Sequence, residues 1–151
     1  MNYLQQKPTT LVVDDNNSIL EIVKLILTGQ GYTTLIASNA QTALTIAETY
    51  EGKIDMLLTD IMMPGMNGPE LAFTFKNRFP AAQIVFMSGS VDIKEAIKEY
   101  EERYGETEYL LKPFSSNELT YRSSVFYKQT DSLQSQETMR TLSDDLSRPV
   151  F

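Results

Sequence analysis

The sequence predicts an α/β domain in which a parallel β-sheet carries helices on both faces. Short apolar segments alternate with segments of helical periodicity through most of the chain. This alternation favours parallel strands that are joined by helical crossovers. The first apolar segment is rich in β-branched residues and stops at two aspartates, which is typical of a strand that is buried on both faces.

The predicted elements follow one another at short intervals along the chain. Turn-forming or helix-capping residues separate them, as expected for β-α units. The predicted strands are residues 10–13, 33–37, a segment within 54–59, 83–87 and 109–111. The predicted helices are residues 17–30, 38–49, 69–78, 93–104 and 115–128, with bounds that are accurate to a few residues.

Polar residues at the predicted helix starts serve as N-caps. Asn17 or Ser18 can cap the first helix, and Ser38 the second. Asn67 precedes the third helix, and Ser115 precedes the last in a capping-box pattern. The first helix should bury an apolar face, for which helical spacing selects Ile19, Ile22, Val23, Ile26 and Leu27.

The length of 151 residues fits one domain with additional residues. We expect the domain to span residues 9–128. Residues 129–151 are rich in Ser, Thr, Gln and Asp, and we expect them to be flexible or to form one short helix.

The composition excludes several classes of function. Without cysteine there are no disulfides, thiolate zinc sites or cysteine nucleophiles, and without histidine the commonest general base is missing. Any metal must then be held by oxygen ligands, which favours Mg²⁺, Ca²⁺ or Mn²⁺. The net charge of −7 argues against nucleic-acid binding. No apolar run is long enough to span a membrane and the start does not resemble a signal peptide, so we expect a cytoplasmic protein.

Chemically useful side chains stand where the predicted strands end. Asp14 and Asp15 follow the first strand, Asp60 the third, Ser88 the fourth and Lys112 the fifth. Because ligands of open α/β sheets bind outside the carboxyl ends of the strands, we expect these groups to converge at one edge.

Three carboxylates at one edge repel one another. At an effective dielectric constant of about 20, two unit charges 4 Å apart interact by roughly 4 kcal/mol. Lys112 offsets only one negative charge, and the remainder favours a divalent hard cation such as Mg²⁺. Beside Mg²⁺, Asp60 could act as a nucleophile toward phosphorus while Lys112 and Ser88 contact the phosphoryl oxygens.

Four segments resemble the receiver domains of two-component response regulators, and the likeness runs from about Leu11 to Tyr127. They are similar to the family's acidic pair, phosphoacceptor loop, hydroxyl-bearing strand end and lysine segment. In this sequence they read Val-Val-Asp-Asp (12–15), Thr-Asp-Ile-Met-Met-Pro-Gly-Met-Asn-Gly (59–68), Val-Phe-Met-Ser-Gly (85–89) and Tyr-Leu-Leu-Lys-Pro-Phe (109–114).

The resemblance implies a flavodoxin-like (βα)5 three-layer sandwich with strand order 2-1-3-4-5. It also implies that Asp60 receives a phosphoryl group from a sensor histidine kinase or a histidine phosphotransfer protein. Asp14, Asp15, Asp60 and the backbone carbonyl of Met62 would then hold Mg²⁺, and Lys112 would precede a cis-proline.

Further implications concern the output of the domain. Ser88 and Tyr109 would form the switch, in which the hydroxyl residue moves toward the phosphoryl group and the aromatic ring turns inward. The surface around the fourth helix, fifth strand and fifth helix would then change, which would control a downstream protein target or homodimerisation. Asn16 stands where the family frequently has an acidic residue.

Other interpretations remain open at this point. Taken singly, the paired acids could cap a helix, Asp60 could belong to an Asx turn, and Tyr109 could be a plain strand aromatic. A phosphatase of the haloacid-dehalogenase type also uses an aspartate nucleophile. The pattern typical of such enzymes has a second acid two residues after the nucleophile, where this chain has Met62. A receiver-like scaffold that binds partners without phosphorylation is the third alternative.

Overall fold

The structure, a computed structural model, describes residues 8–124. It contains a parallel sheet of five strands in the order β2-β1-β3-β4-β5. The strands are β1 (Thr9–Val13), β2 (Thr33–Ala37), β3 (Met56–Asp60), β4 (Gln83–Ser88) and β5 (Glu108–Leu111). The predicted fold class and strand order are therefore confirmed.

Helices cover both faces of this sheet. They are α1 (Asn17–Gly29), α2 (Ala40–Thr49), α3 (Gly68–Arg78), α4 (Ile93–Ala96), α5 (Lys98–Tyr104) and α6, which occupies residues 116–124. Predictions for residues 129–151 and for the end of the last helix fall outside the described residues. No helix between residues 8 and 124 is both long and apolar enough to cross a bilayer.

Two hydrophobic clusters lie on opposite faces of the sheet. Alternate residues of β1 divide between them, because successive side chains of a strand point to opposite faces. Leu11 and Val13 join the cluster beneath α2 to α5, whereas Val12 joins the cluster beneath α1 and α6. All three are fully buried, so the first strand is buried on both faces as predicted.

The helix predicted at residues 93–104 is interrupted at Ile97. The backbone leaves helical geometry there, with φ −103° and ψ 4°, although the Ile97 N–H still donates to the Ile93 carbonyl. Ile97 is fully buried and Tyr100 is 1% exposed, so the break occurs where the segment packs most closely against the core.

Two of the predicted helix caps are wrong. Asn16 rather than Asn17 or Ser18 caps α1, and Asn39 rather than Ser38 caps α2. In both cases the capping residue has an extended backbone, which aims its side-chain oxygen at the free N–H groups of the first turn. The caps predicted at Asn67 and Ser115 are confirmed.

Candidate functional site

The polar residues after the strands lie at one edge of the sheet, and backbone hydrogen bonds continue from strand to strand there. The Asp14 N–H donates to the Ala37 carbonyl over 3.2 Å, beyond the end of β1. In the same way the Lys112 N–H donates to the Ser88 carbonyl over 2.7 Å. Asp60 and Ser88 are the last residues of β3 and β4. Backbone hydrogen bonds therefore fix the positions of these residues at the sheet edge, independently of side-chain contacts.

Asp14, Asp15 and Asp60 form a compact cluster, which we call the acidic corner. One carboxylate oxygen from each residue lies within 4.8 Å of the other two. Asp14 is fully buried and Asp60 is 7% exposed, whereas Asp15 is exposed to solvent. The cluster can therefore hold a metal ion that solvent reaches from the Asp15 side, and its donors are the hard oxygen ligands that Mg²⁺ prefers.

Lys112 is the cation of this edge. Its Nζ lies 2.5 Å from Asp14 Oδ2 and 3.3 Å from Asp60 Oδ2, and its side chain is 18% exposed. The other oxygen of Asp14 accepts a hydrogen bond from the Asn16 N–H over 2.9 Å. Lys112 thus bridges two of the three carboxylates, and the acidic corner keeps an excess of negative charge.

The pKa of Asp60 is raised above its ordinary value of 3.8. Burial of the carboxyl is the largest cause, and the charges of Asp14 and Asp15 add to it. The ammonium of Lys112 opposes the shift through its charge and its hydrogen bond. The sequence predicts repulsion among the three carboxylates, but burial raises the pKa of Asp60 more than either neighbouring carboxylate does.

Gly68 packs directly against the backbone of Asp60 and Ile61, a contact that was not predicted from the sequence. A Cβ atom built at Gly68 would lie 2.9 Å from Ile61 Cα and closer still to the Asp60 carbonyl oxygen. The Gly68 N–H also donates to the Ile61 carbonyl over 2.9 Å. The start of α3 therefore holds the end of β3 in place, and only glycine leaves room for that approach.

Of the two predicted switch residues, Ser88 ends β4 at the same sheet edge as the acidic corner, whereas Tyr109 lies within β5 in register with Phe86. Ser88 is 3% exposed, and its Oγ accepts a hydrogen bond from the Ser90 N–H over 3.0 Å. Within residues 8–124 no hydrogen bond joins this hydroxyl to the acidic corner. Tyr109 is half-buried in β5, and Lys94 Nζ lies 5.1 Å from the centre of its ring.

Two further expectations concern residues beside the acidic corner. The side chain of Met62 is 72% exposed, and its predicted contribution of a backbone carbonyl to a metal stays a prediction. The peptide bond between Lys112 and Pro113 is cis, as the resemblance implied.

The comparisons with known proteins agree on one family. The family model described as the response regulator receiver domain matches residues 10–123. The heme response regulator HssR of Staphylococcus saprophyticus is 32% identical over 123 residues, which is 80% of this chain and 52% of that protein. The DNA-binding response regulator MtrA of Mycobacterium tuberculosis is 31% identical over 121 residues, again 80% of this chain and 51% of that protein. The chain therefore spans about half the length of these relatives.

Solved structures of similar domains align over nearly their whole length. A response regulator receiver domain protein from Clostridium thermocellum has a TM-score of 0.72 and 28% identity, and the alignment covers 83% of this chain and 98% of that one. The receiver domain of the hybrid histidine kinase CckA has a TM-score of 0.63 and 32% identity, with 76% and 94% covered. Sequence, strand order and the residues at the sheet edge agree, and the chain belongs to the response regulator receiver domain family of two-component systems.

Proposed function

We propose that this chain is a phosphorylation-controlled switch of a two-component phosphorelay, with Asp60 as the phosphoryl acceptor. The observation that carries the proposal is the surrounding of Asp60. Its carboxylate lies within 4.8 Å of oxygens from two further carboxylates. One of its oxygens lies 3.3 Å from the ammonium of Lys112. Carboxylate nucleophiles for phosphorus need such a setting, in which cations offset the charge of the incoming phosphoryl group.

The proposed reaction is a transfer between two proteins. An oxygen of Asp60 attacks the phosphorus of a phosphohistidine, so that an O–P bond forms while the N–P bond breaks and the histidine leaves. The chain itself contains no histidine, so the donor lies outside it. A sensor histidine kinase or a histidine phosphotransfer protein is the proposed partner.

The acidic corner is proposed to bind Mg²⁺ through Asp14, Asp15, Asp60 and the backbone carbonyl of Met62. The fit rests on the donor set, because carboxylate oxygens without nitrogen or sulfur ligands favour a hard divalent cation. When bound, the ion neutralises charge on the phosphoryl oxygens. Lys112 does not replace it, because its single charge is already shared between Asp14 and Asp60.

Lys112 and Ser88 are proposed to contact the phosphoryl group on Asp60. The Lys112 ammonium already reaches the carboxylate that carries this group, so a charge-assisted hydrogen bond to a phosphoryl oxygen needs little movement. The Ser88 hydroxyl accepts from the Ser90 N–H, which leaves its own hydrogen free to be donated. Movement of Ser88 toward that oxygen, followed by inward rotation of Tyr109, is the proposed switch.

The proposed output is a change in binding to a downstream protein in the cytoplasm. MtrA is named as DNA-binding, but this chain matches only about half of that relative. That this chain makes no direct contact with nucleic acid stays a prediction, which its net charge of −7 supports.

Phosphorylation of the purified chain tests the acceptor. Incubation with Mg²⁺ and a small phosphodonor such as phosphoramidate should raise the intact mass by one phosphoryl group. Asp60→Asn should abolish the gain, and Asp55→Asn, which changes another aspartate of the same domain, should leave it unchanged. An unmodified mass in the native chain would refute the proposal, and multiple turnover of phosphomonoesters would favour a phosphatase instead.

A phosphoryl mimic tests whether the site acts as a switch. Beryllofluoride with Mg²⁺ should change the affinity of the chain for its downstream partner in a pull-down, and should shift the amide resonance of Tyr109. Identical partner binding with and without beryllofluoride would support a scaffold that works without phosphorylation. Sedimentation of the same two samples tests the predicted homodimer.

A further inference from the structure

The peptide unit between Asp60 and Ile61 is hydrogen-bonded at both of its polar ends. Its N–H, which belongs to Ile61, donates to the Met87 carbonyl over 2.9 Å and so continues the pairing of β3 with β4. Its carbonyl, which belongs to Asp60, accepts a hydrogen bond from the Thr59 hydroxyl over 3.0 Å. The orientation of this peptide plane therefore depends on one backbone contact and on one side chain, that of Thr59.

The Thr59 hydroxyl acts from the face of the sheet that the Asp60 carboxylate does not occupy. Successive side chains of a strand point to opposite faces, and Leu57 and Ile61 on either side of Thr59 both belong to the cluster beneath α2 to α5. Within residues 8–124 no hydrogen bond joins the Thr59 hydroxyl to a carboxylate of the acidic corner. An effect of Thr59 on the Asp60 carboxylate must therefore pass through the backbone.

The surroundings of Thr59 are apolar, so its hydroxyl needs a hydrogen-bond partner. Thr59 is fully buried, as are Val13 and Phe86, its register neighbours in β1 and β4. A buried hydroxyl without a hydrogen bond is unfavourable, and valine has nearly the same shape without this cost. The bond to the Asp60 carbonyl is thus what threonine contributes at this position and valine cannot.

The Asp60 carbonyl has little room for a replacement donor. Gly68 is buried, and the Asp60 carbonyl oxygen is the nearest atom that a Cβ at Gly68 would meet. Because the start of α3 already lies against this oxygen, a water molecule could take the place of the Thr59 hydroxyl only if α3 moved. Loss of the hydroxyl would therefore leave the oxygen unsatisfied and loosen the peptide plane.

We propose that Thr59 is a positioning residue for the phosphoryl acceptor. Its hydroxyl holds the carbonyl of Asp60, which fixes the ψ angle of Asp60 and with it the direction of the carboxylate relative to the sheet. This inference rests on the proposed function, because it concerns how Asp60 is aimed at phosphorus. A displaced nucleophile reacts more slowly even where the rest of the site is intact.

Substitutions of Thr59 test the role of the hydroxyl in the complete chain. Thr59→Val removes the hydroxyl at nearly constant shape and should lower the rate of phosphorylation by phosphoramidate with Mg²⁺ about ten-fold. Thr59→Ser and Thr59→Ala lose the same methyl group, but only serine retains the hydroxyl, so the serine variant should react about five times faster than the alanine variant. Equal rates in native chain and Thr59→Val, or in the serine and alanine variants, would overturn the proposal.

Thr10→Val is the matched control. Thr10 is also fully buried in a strand, but its hydroxyl has no hydrogen-bond partner in the part of the chain that the structure describes. The variant should keep the native rate within about two-fold, because it removes no hydrogen bond from Asp60. A loss as large as that of Thr59→Val would show that any buried threonine affects the rate, and would refute the specific role of Thr59.

An NMR measurement tests the hydrogen bond without metal or phosphodonor. The carbonyl carbon resonance of Asp60, detected through the Ile61 amide, should move in Thr59→Val and Thr59→Ala and stay near its native position in Thr59→Ser. A resonance that does not move in Thr59→Val would refute the positioning role. If the native chain takes up no phosphoryl group, the proposed acceptor itself fails and the positioning role falls with it, whatever the resonance does.

Discussion

Gly68→Ala tests how firmly the start of α3 holds the backbone of Asp60, the proposed acceptor, in place. The new methyl group would lie 2.9 Å from Ile61 Cα and nearer to the Asp60 carbonyl oxygen, whereas ordinary contact begins at 3.4 Å. The atoms that it meets belong to the backbone and cannot rotate away, so the end of β3 must move by at least about 0.5 Å. Overpacking of this kind costs about 2 kcal/mol of unfolding free energy, or about 8 °C in melting temperature for a domain of this size.

The matched control is Gly29→Ala. Gly29 ends α1, a Cβ there meets nothing within 4 Å, and its φ is not positive. Alanine should therefore stabilise the chain by about 0.5 kcal/mol through its higher helix propensity. Thermal unfolding measures the stability of both variants. The rate of phosphorylation by phosphoramidate should fall by up to about a hundred-fold in Gly68→Ala alone, since Asp60, the proposed nucleophile, is displaced. A Gly68→Ala variant with native stability and native rate would refute the reasoning.

Three further predictions concern the charges at the edge. Lys112→Met should lower the free energy of unfolding, measured by chemical denaturation, by about 2–3 kcal/mol, because the buried Asp14 loses its cation. Lys53→Met removes the cation of an exposed ion pair and should change the free energy of unfolding by less than about 0.5 kcal/mol. Asp60→Asn should stabilise the metal-free chain at pH 7, because the raised pKa of Asp60 makes its ionised form unfavourable in the folded state. This gain in stability should vanish below pH 3.8, where the carboxyl is protonated in both the folded and the unfolded chain. Equal stability of the variant and the native chain at pH 7 would contradict the raised pKa. Saturating Mg²⁺ should raise the melting temperature, by an amount equivalent to about 2.7 kcal/mol of unfolding free energy at 100 times Kd. Asp15→Asn should reduce that rise without destabilising the metal-free chain, because Asp15 is exposed. A response to Mg²⁺ that is unchanged in Asp15→Asn would count against the acidic corner as the metal site.

The sheet could be predicted from the sequence because its strands carry a clear apolar signal, and their order came from the family resemblance. The face that α1 buries could not be predicted as well. The apolar residues of α1 are not confined to one face of the helix. Spacing alone therefore selected Ile22, which is 56% exposed, and omitted Leu20, which is buried. Tertiary packing decides between such alternatives, and local periodicity does not contain that information.

The candidate site was predictable as far as strand ends determine it. Asp14 follows β1, Asp60 ends β3 and Lys112 follows β5, and parallel strands bring their carboxyl ends to one edge of the sheet. The pairing of Lys112 chiefly with Asp14 was not predictable, because it depends on side-chain reach. The contact of Gly68 with the backbone of Asp60 and Ile61 was equally difficult to predict. Its one signal in the sequence was a glycine at the start of a helix that Asn67 already caps.

The caps of the first three helices have a consequence for the electrostatics of the edge. Asn16, Asn39 and Asn67 satisfy the free N–H groups with neutral amides, and neither α1 nor α2 has an acidic residue in its first turn. Carboxylates at those positions would cap equally well but would spend the positive ends of the helix dipoles on themselves. With amides, the positive potential at the starts of α1 and α2 stays available to an anion at this edge of the sheet, whereas α3 already carries Glu70 in its first turn.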